Sequence, residues 1–176
     1  SKGHDTFPAR FILLAAMNPC PCGKYGSEDR CTCMPGTLAG YQRKLSGPIV
    51  DRIDLWVKVS KIHHNKLSEM KNGESTETVR TRVTNARNLQ QARFIEHGRK
   101  ITTNNEMRAD DVEKYIILTP QLRALFNSSA EKLKLSPRSY HKVLKVARTI
   151  ADLDNSNDIH EAHLLEALAY RPTELK

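Results

Sequence analysis

The chain has 176 residues, 39% apolar and 27% charged, with a formal net charge of +8. That length suffices for one ordinary domain or two small ones with a real core, and the composition is that of a soluble globular protein. No apolar run approaches the ~18 residues of a membrane span and no export pattern opens the sequence, which points to a cytoplasmic protein.

In chain order, residues 11–17 (Phe-Ile-Leu-Leu-Ala-Ala-Met) form a continuous apolar run stopped by Asn18-Pro19, the pattern of a strand buried on both faces of a parallel sheet. All four cysteines follow within fourteen residues, as Cys20-Pro21-Cys22 and Cys31-Thr32-Cys33. In a reducing compartment such a cluster reads first as a metal site, here a structural Zn²⁺ held by four thiolates. The single residue between paired cysteines counts against zinc, and free thiols or a redox switch remain alternatives. A short helix is expected over 37–44, a turn at 46–48, and a second, alternating strand over 53–59.

Residues 61–75 are polar and read as a connector. Beyond it the pattern turns helical: 76–98 with Ser75 or Thr76 as N-cap, then about 109–117, 120–133, 137–153 and 159–169. Residues 61–108 hold 10 Lys/Arg against 5 Asp/Glu, a weak pointer to nucleic acid. Arg80, Arg82, Arg87, Arg93 and Arg99 supply much of it, although the interspersed Asn and Gln equally suit a solvated helix.

Three segments in order resemble the AAA+ ATPases of the magnesium-chelatase kind, and more closely their YifB/ComM branch. They are Ala15-Ala16-Met17-Asn18-Pro19-Cys20-Pro21-Cys22-Gly23, then Ser46-Gly47-Pro48-Ile49-Val50-Asp51-Arg52-Ile53-Asp54-Leu55, then the stretch from Ser136-Pro137-Arg138-Ser139-Tyr140 to Leu153. The resemblance implies a mainly α chain with a partial α/β piece. Residues 1–60 would be the C-terminal part of a AAA+ core, with a sensor strand, the cysteine loop 20–33 and an arginine-finger strand. Residues 61–75 would be the connector and 76–176 an all-α lid.

By the same resemblance, Asn18 matches the sensor that orients water at the γ-phosphate of ATP. Arg52 matches the arginine finger inserted into a neighbouring subunit's site, and Arg138 matches the second sensor, carried on the lid. The plainer alternatives are an Asn that merely ends a strand, an Arg52 paired with Asp51 or Asp54, and a solvated basic face of Arg138, Lys142 and Lys145. Arg148 reads as a structural or intersubunit contact.

The family uses ATP and Mg²⁺, yet the sequence contains neither Gly-x-x-x-x-Gly-Lys-Ser/Thr nor an apolar run ending in Asp-Glu. The expectation is a fragment inactive alone, from a longer ring-forming, hexameric ATPase acting on DNA. Two alternatives stand beside it: a zinc-dependent nucleic-acid-binding module without enzymatic activity, and a chelatase-type metal-insertion subunit.

Overall fold

The computed structural model describes residue 7 and residues 11–45, 47–59, 73–96, 98 and 100–172. The chain divides into two compact units, residues 1–44 and 45–176.

In the first unit the described residues form the cysteine loop and helix α1, Pro35–Gln42, which starts on a proline at its first turn. The strand expected over residues 11–17 does not form. The segment takes no regular structure, no ladder pairs it, and its side chains stand in solvent, with Ile12 92% and Leu14 95% exposed. A strand owes its stability to backbone partners on either side, and among the described residues none is offered. The strand expected over 53–59 fails for the same reason. Its described residues make one backbone bond outside their own turn, Trp56 N–H to Tyr170 O at 3.0 Å, and Val57 and Val59 are exposed.

The second unit is helical. Helix α2, Gly47–Arg52, begins within the turn expected over 46–48 and runs on to Arg52. After it come α3, Thr76–Glu96; a 3₁₀ turn, Asn104–Glu106; α4, Ala109–Tyr115; α5, Pro120–Lys132; α6, Pro137–Leu153; and α7, Glu161–Ala169. The caps explain the boundaries. Ser75 Oγ accepts from Thr78 N–H at 3.1 Å, Thr119 Oγ1 from Leu122 N–H at 3.3 Å and Ser136 Oγ from Ser139 N–H at 3.2 Å. At α7 a ring nitrogen does this work, with His163 Nδ1 accepting from His160 N–H at 3.1 Å.

Helices α5 and α6 stop where one residue turns left-handed: Lys134 at φ 51° and Asn155 at φ 55°. The following amides then reach back, Leu135 N–H to Ala130 O at 2.9 Å and Ser156 N–H to Ala151 O at 2.8 Å.

Helix α6 is the centre of the bundle and touches α2, α3, the 3₁₀ turn, α4 and α7. Its apolar positions recur at helical spacing, so Val143, Leu144, Ala147, Ile150 and Ala151 share one buried stripe. They pack with Phe94, Val112, Ile116, Phe126 and Leu164, and the rings of Phe126 and Tyr140 lie 4.5 Å apart. Burial on the flanking helices is selective. On α3 the buried residues are Ala86, Gln90 and Phe94, with Val79 and Val83 left exposed; on α7 Ala167 is buried in place of Leu165.

A polar knot crosses the apolar core. The fully buried Asp152 accepts from Arg93 at 2.5 and 3.1 Å, from Asn104 Nδ2 at 2.7 Å and from Arg148 Nε at 3.1 Å. Arg148 also donates to the backbone oxygens of Ser156 and Asn157, at 2.5 and 2.7 Å, so it is a structural residue of the α6–α7 junction. Burial pulls its guanidinium below the usual arginine value, and Asp152 opposes that shift.

Replacing Asp152 by Ala strands the buried Arg148 and the half-buried Arg93, and the expected loss is ~3–5 kcal/mol, read from the urea midpoint. Arg80→Ala, which breaks only the exposed pair with Glu77, is expected to cost under ~1 kcal/mol in the same assay.

Candidate functional site

The cysteine loop is built by short-range bonds. Cys20-Pro21-Cys22-Gly23 closes a tight turn in which Gly23 N–H donates to Cys20 O at 3.0 Å, and Gly23 takes φ 77°, a region glycine enters at little cost. The turn continues to Tyr25, whose N–H donates to Cys20 Sγ at 3.3 Å.

Four sulfurs result, all within 4.8 Å of one another, with Cys20–Cys22 at 3.3 Å, Cys22–Cys31 at 3.5 Å and Cys20–Cys31 at 3.8 Å. Four thiolates about 2.3 Å from a tetrahedral ion stand about 3.8 Å apart, so the cluster has the dimensions of a zinc site despite its one-residue spacers. Cys20, Cys22, Cys31 and Cys33 would hold the ion. With all four positions filled by protein, such an ion closes the loop and activates no water.

The thiols differ in acidity. Backbone N–H groups of Lys24 and Thr32 bring Cys22 down to about 5. Cys33, although the N–H of Cys22 favours its thiolate, is pushed up to about 12 by its contact with the Cys22 sulfur and by burial. Negative charge therefore favours Cys22, with Cys20 lowered as well, and a cation would offset the repulsion that raises Cys31 and Cys33.

Asn18 lies two residues before this loop. Its backbone oxygen accepts from Tyr41 Oη at 3.0 Å, which ties the entry of the loop to α1, and its side chain is exposed.

The second unit carries the two arginines. Arg52 ends α2, where a cation is favoured by the carboxyl end of the helix, and its Nη1 donates to Pro48 O at 2.9 Å. Neither neighbouring carboxylate pairs with it. Asp51 Oδ1 accepts from Ser139 Oγ at 2.9 Å, and Asp54 pairs with Lys142 Nζ at 2.6 Å. The ion pair that a bland reading gives Arg52 is thus absent, because both acids are engaged by α6 and the guanidinium stays exposed.

Arg138 is also exposed, one turn into α6. The bond from Ser139, then burial opposing it, then Ser136, Arg171 and Arg138 set the Asp51 carboxyl, which ends below its usual value.

Lys142 donates to Arg52 O as well, and Lys145 Nζ donates to Asn105 O at 3.1 Å. These lysines share the Arg138 face yet serve as internal ties, so the stripe is no free basic surface. Three of the four arginines of α3 behave similarly, Arg80 pairing with Glu77, Arg82 with Glu74 and Arg93 with Asp152; Arg87 is exposed, and Arg99 lies outside the described residues.

The structure thus gathers the Arg52 segment and the Arg138 helix in one unit, and Asn18 with the cysteines in the other. Ser139 and Arg171 were missed by sequence reasoning. Arg171 Nη1 donates to Ile53 O and its Nη2 to Ser139 Oγ, both at 3.0 Å. The one local signal was Ser139 itself, a hydroxyl beside Arg138 in a helix's first turn.

Residues 73–171 match the family described as magnesium chelatase, subunit ChlI C-terminal, and residues 1–67 match magnesium chelatase, subunit ChlI. The chain belongs to the magnesium-chelatase-like family. Within it the relatives are of the YifB/ComM kind. Competence protein ComM of Haemophilus influenzae is 39% identical over 94% of this chain and 31% of its own length. The uncharacterized protein YifB of Salmonella typhimurium is 38% identical over 97% of the chain and 33% of its own length. An uncharacterized Mycobacterium bovis protein is 34% identical over 97% and 33%. The chain spans about a third of the length of these curated relatives. Among the described residues no helix is long and apolar enough to cross a membrane.

For this family member the cysteine cluster leads to a direct expectation: purified protein carries one zinc per chain by elemental analysis. Cys20→Ser and Cys31→Ser each lose it while helical circular dichroism is kept. Zinc far below one equivalent in freshly purified protein would leave the four cysteines as free thiols.

Proposed function

We propose that this chain is the nucleotide-sensing and subunit-contact part of a AAA+ ATPase that works on DNA as a six-membered ring. The observation that carries the reading is the state of Arg52. It sits at the end of a short helix with both adjacent carboxylates engaged elsewhere, so a charged guanidinium is presented to solvent rather than neutralised within its own chain. That is what an arginine finger requires: a planar cation free to meet the charge spread over a transferring phosphoryl group of a neighbouring subunit.

Arg138, exposed in the first turn of α6, is the companion sensor for nucleotide bound by its own subunit. Asn18, at the end of the apolar run, orients the attacking water. The family's use of ATP and Mg²⁺ supports these roles. In this reading the phosphate loop and the magnesium-binding carboxylates belong to other parts of a longer protein, and the exposed run 11–17 is a central strand seen without its neighbours. DNA is the proposed substrate because one relative is named a competence protein. The cysteine cluster is a structural zinc site beside the sensor.

A second reading rests on that cluster alone, a zinc-dependent nucleic-acid-binding module without turnover. A third, metal insertion into a tetrapyrrole, rests on the family's description.

The deciding measurement is ATP hydrolysis by the intact protein. Arg52→Ala and Arg138→Ala are each expected to reduce turnover, the former by ~10³-fold or more. Adding Arg52→Ala subunits to wild-type subunits is expected to poison the mixed assembly, because the missing finger acts in trans. An intact, assembled protein with no nucleotide turnover would remove the motor reading and leave the binding module.

A further inference from the structure

The contacts around Arg52 form a clamp to which the sequence motifs assign no role, and one member, Arg171, lies outside them. Helix α2 buries no residue, so apolar packing does not hold it in place. Instead, four consecutive residues are each gripped by a polar group from the helical bundle. Asp51 is held through its carboxylate by Ser139, Arg52 through its backbone oxygen by Lys142, Ile53 through its backbone oxygen by Arg171, and Asp54 through its carboxylate by Lys142.

Ser139 and Arg171 are both more than nine-tenths buried, and they bond each other at 3.0 Å. Burial pulls the Arg171 guanidinium below the usual arginine value while Asp51 and Asp54 favour its charge. A guanidinium is suited to this place, since its rigid fork serves a carbonyl and a hydroxyl at once, which an ammonium cannot do in the same plane.

We infer that Arg171 and Ser139 are positioning residues that lock the Arg52 segment to the first turn of α6, so that Arg52 and Arg138 move as one body. The inference rests on the reading of Arg52 as a trans-acting finger. Its content is mechanical. A finger carried on an unburied helix would wander, and displacement of a catalytic group by about 1 Å costs on the order of 100-fold in rate. With the clamp in place, any shift of Arg138 toward nucleotide in its own subunit is passed to the finger offered to the next. The two sites of adjacent subunits are then coupled through the bonds of Ser139 and Arg171, without a separate relay.

Two readouts test it. In the 176-residue chain, Arg171→Met is expected to speed amide exchange over residues 49–56 by about tenfold or more, while Val143, Leu144 and Ala147 of α6 keep their protection. In the intact protein the same substitution is expected to lower kcat for ATP by about 10- to 100-fold with KM within about twofold, because the finger is engaged only in the transition state. Arg171→Lys, which restores one of the two bonds, is expected to recover part of the rate, and Ser139→Ala to lose part of it.

Unchanged exchange over 49–56 in Arg171→Met would overturn the clamp. Faster exchange with undiminished kcat, in a protein that Arg52→Ala inactivates, would overturn the positioning role and leave the finger standing. Full activity in Arg52→Ala would instead remove the finger reading beneath it.

Discussion

The buried carboxylate of Asp152 is the interaction on which the helical unit depends. Transferring an ionised group into a protein interior costs several kcal/mol even after relaxation, and only a full set of donors offsets it. Here the donors come from three parts of the chain far apart in sequence: Arg93 near the end of α3, Asn104 in the 3₁₀ turn, and Arg148 one turn earlier on α6. Apolar contacts alone tolerate some sliding of helix on helix. An ion held by fixed donors does not, so the knot specifies how α3 meets α6 and where the α6–α7 junction turns.

Helix α6 thereby acquires two ends of different character. Its C-terminal end is fixed by buried charge and by the left-handed turn at Asn155. Its N-terminal end is half-open, with Ser136 capping, Ser139 buried beneath the first turn and Arg138 exposed beside it. The stripe of Val143, Ala147 and Ile150 between them transmits a rigid geometry from one to the other, since a close-packed interior leaves little room for the helix to bend. The site-bearing end is therefore held by the structural end at the far side of a single seventeen-residue helix.

Much of this was legible in the sequence where the signal is local. Pro137 after Ser136, and the spacing of apolar residues from Val143 to Ala151, mark α6 to the residue, because capping chemistry and helical period are written in neighbouring positions. The cysteines declared a cluster by proximity alone. What failed was non-local. The run 11–17 carries the composition of a buried strand, but composition cannot supply the strands it would lie between. Helix α2 was not expected: Gly47-Pro48 at its start read as a turn, and the side chains that hold the segment, on α6 and at Arg171, are remote in sequence. Ser139 and Arg171 stand 32 positions apart and meet only once the bundle is folded. No periodicity in a single sequence reports such a pair, and the same holds for Arg93 with Asp152, 59 positions apart.

The absence of any buried residue in α2 has a consequence for the conditions under which the molecule works. Its anchorage is polar and in part exposed, with Asp54 51% accessible opposite Lys142, whereas the bundle beneath is held by dry apolar contact and a sealed carboxylate. Mobile ions screen the former within about 10 Å at 0.1 M ionic strength and hardly reach the latter. The arm bearing Arg52 thus has one tie open to the surrounding electrolyte, Asp54 to Lys142, which concentrated salt weakens, while the bonds through the buried Ser139 and Arg171 keep it seated on the helices.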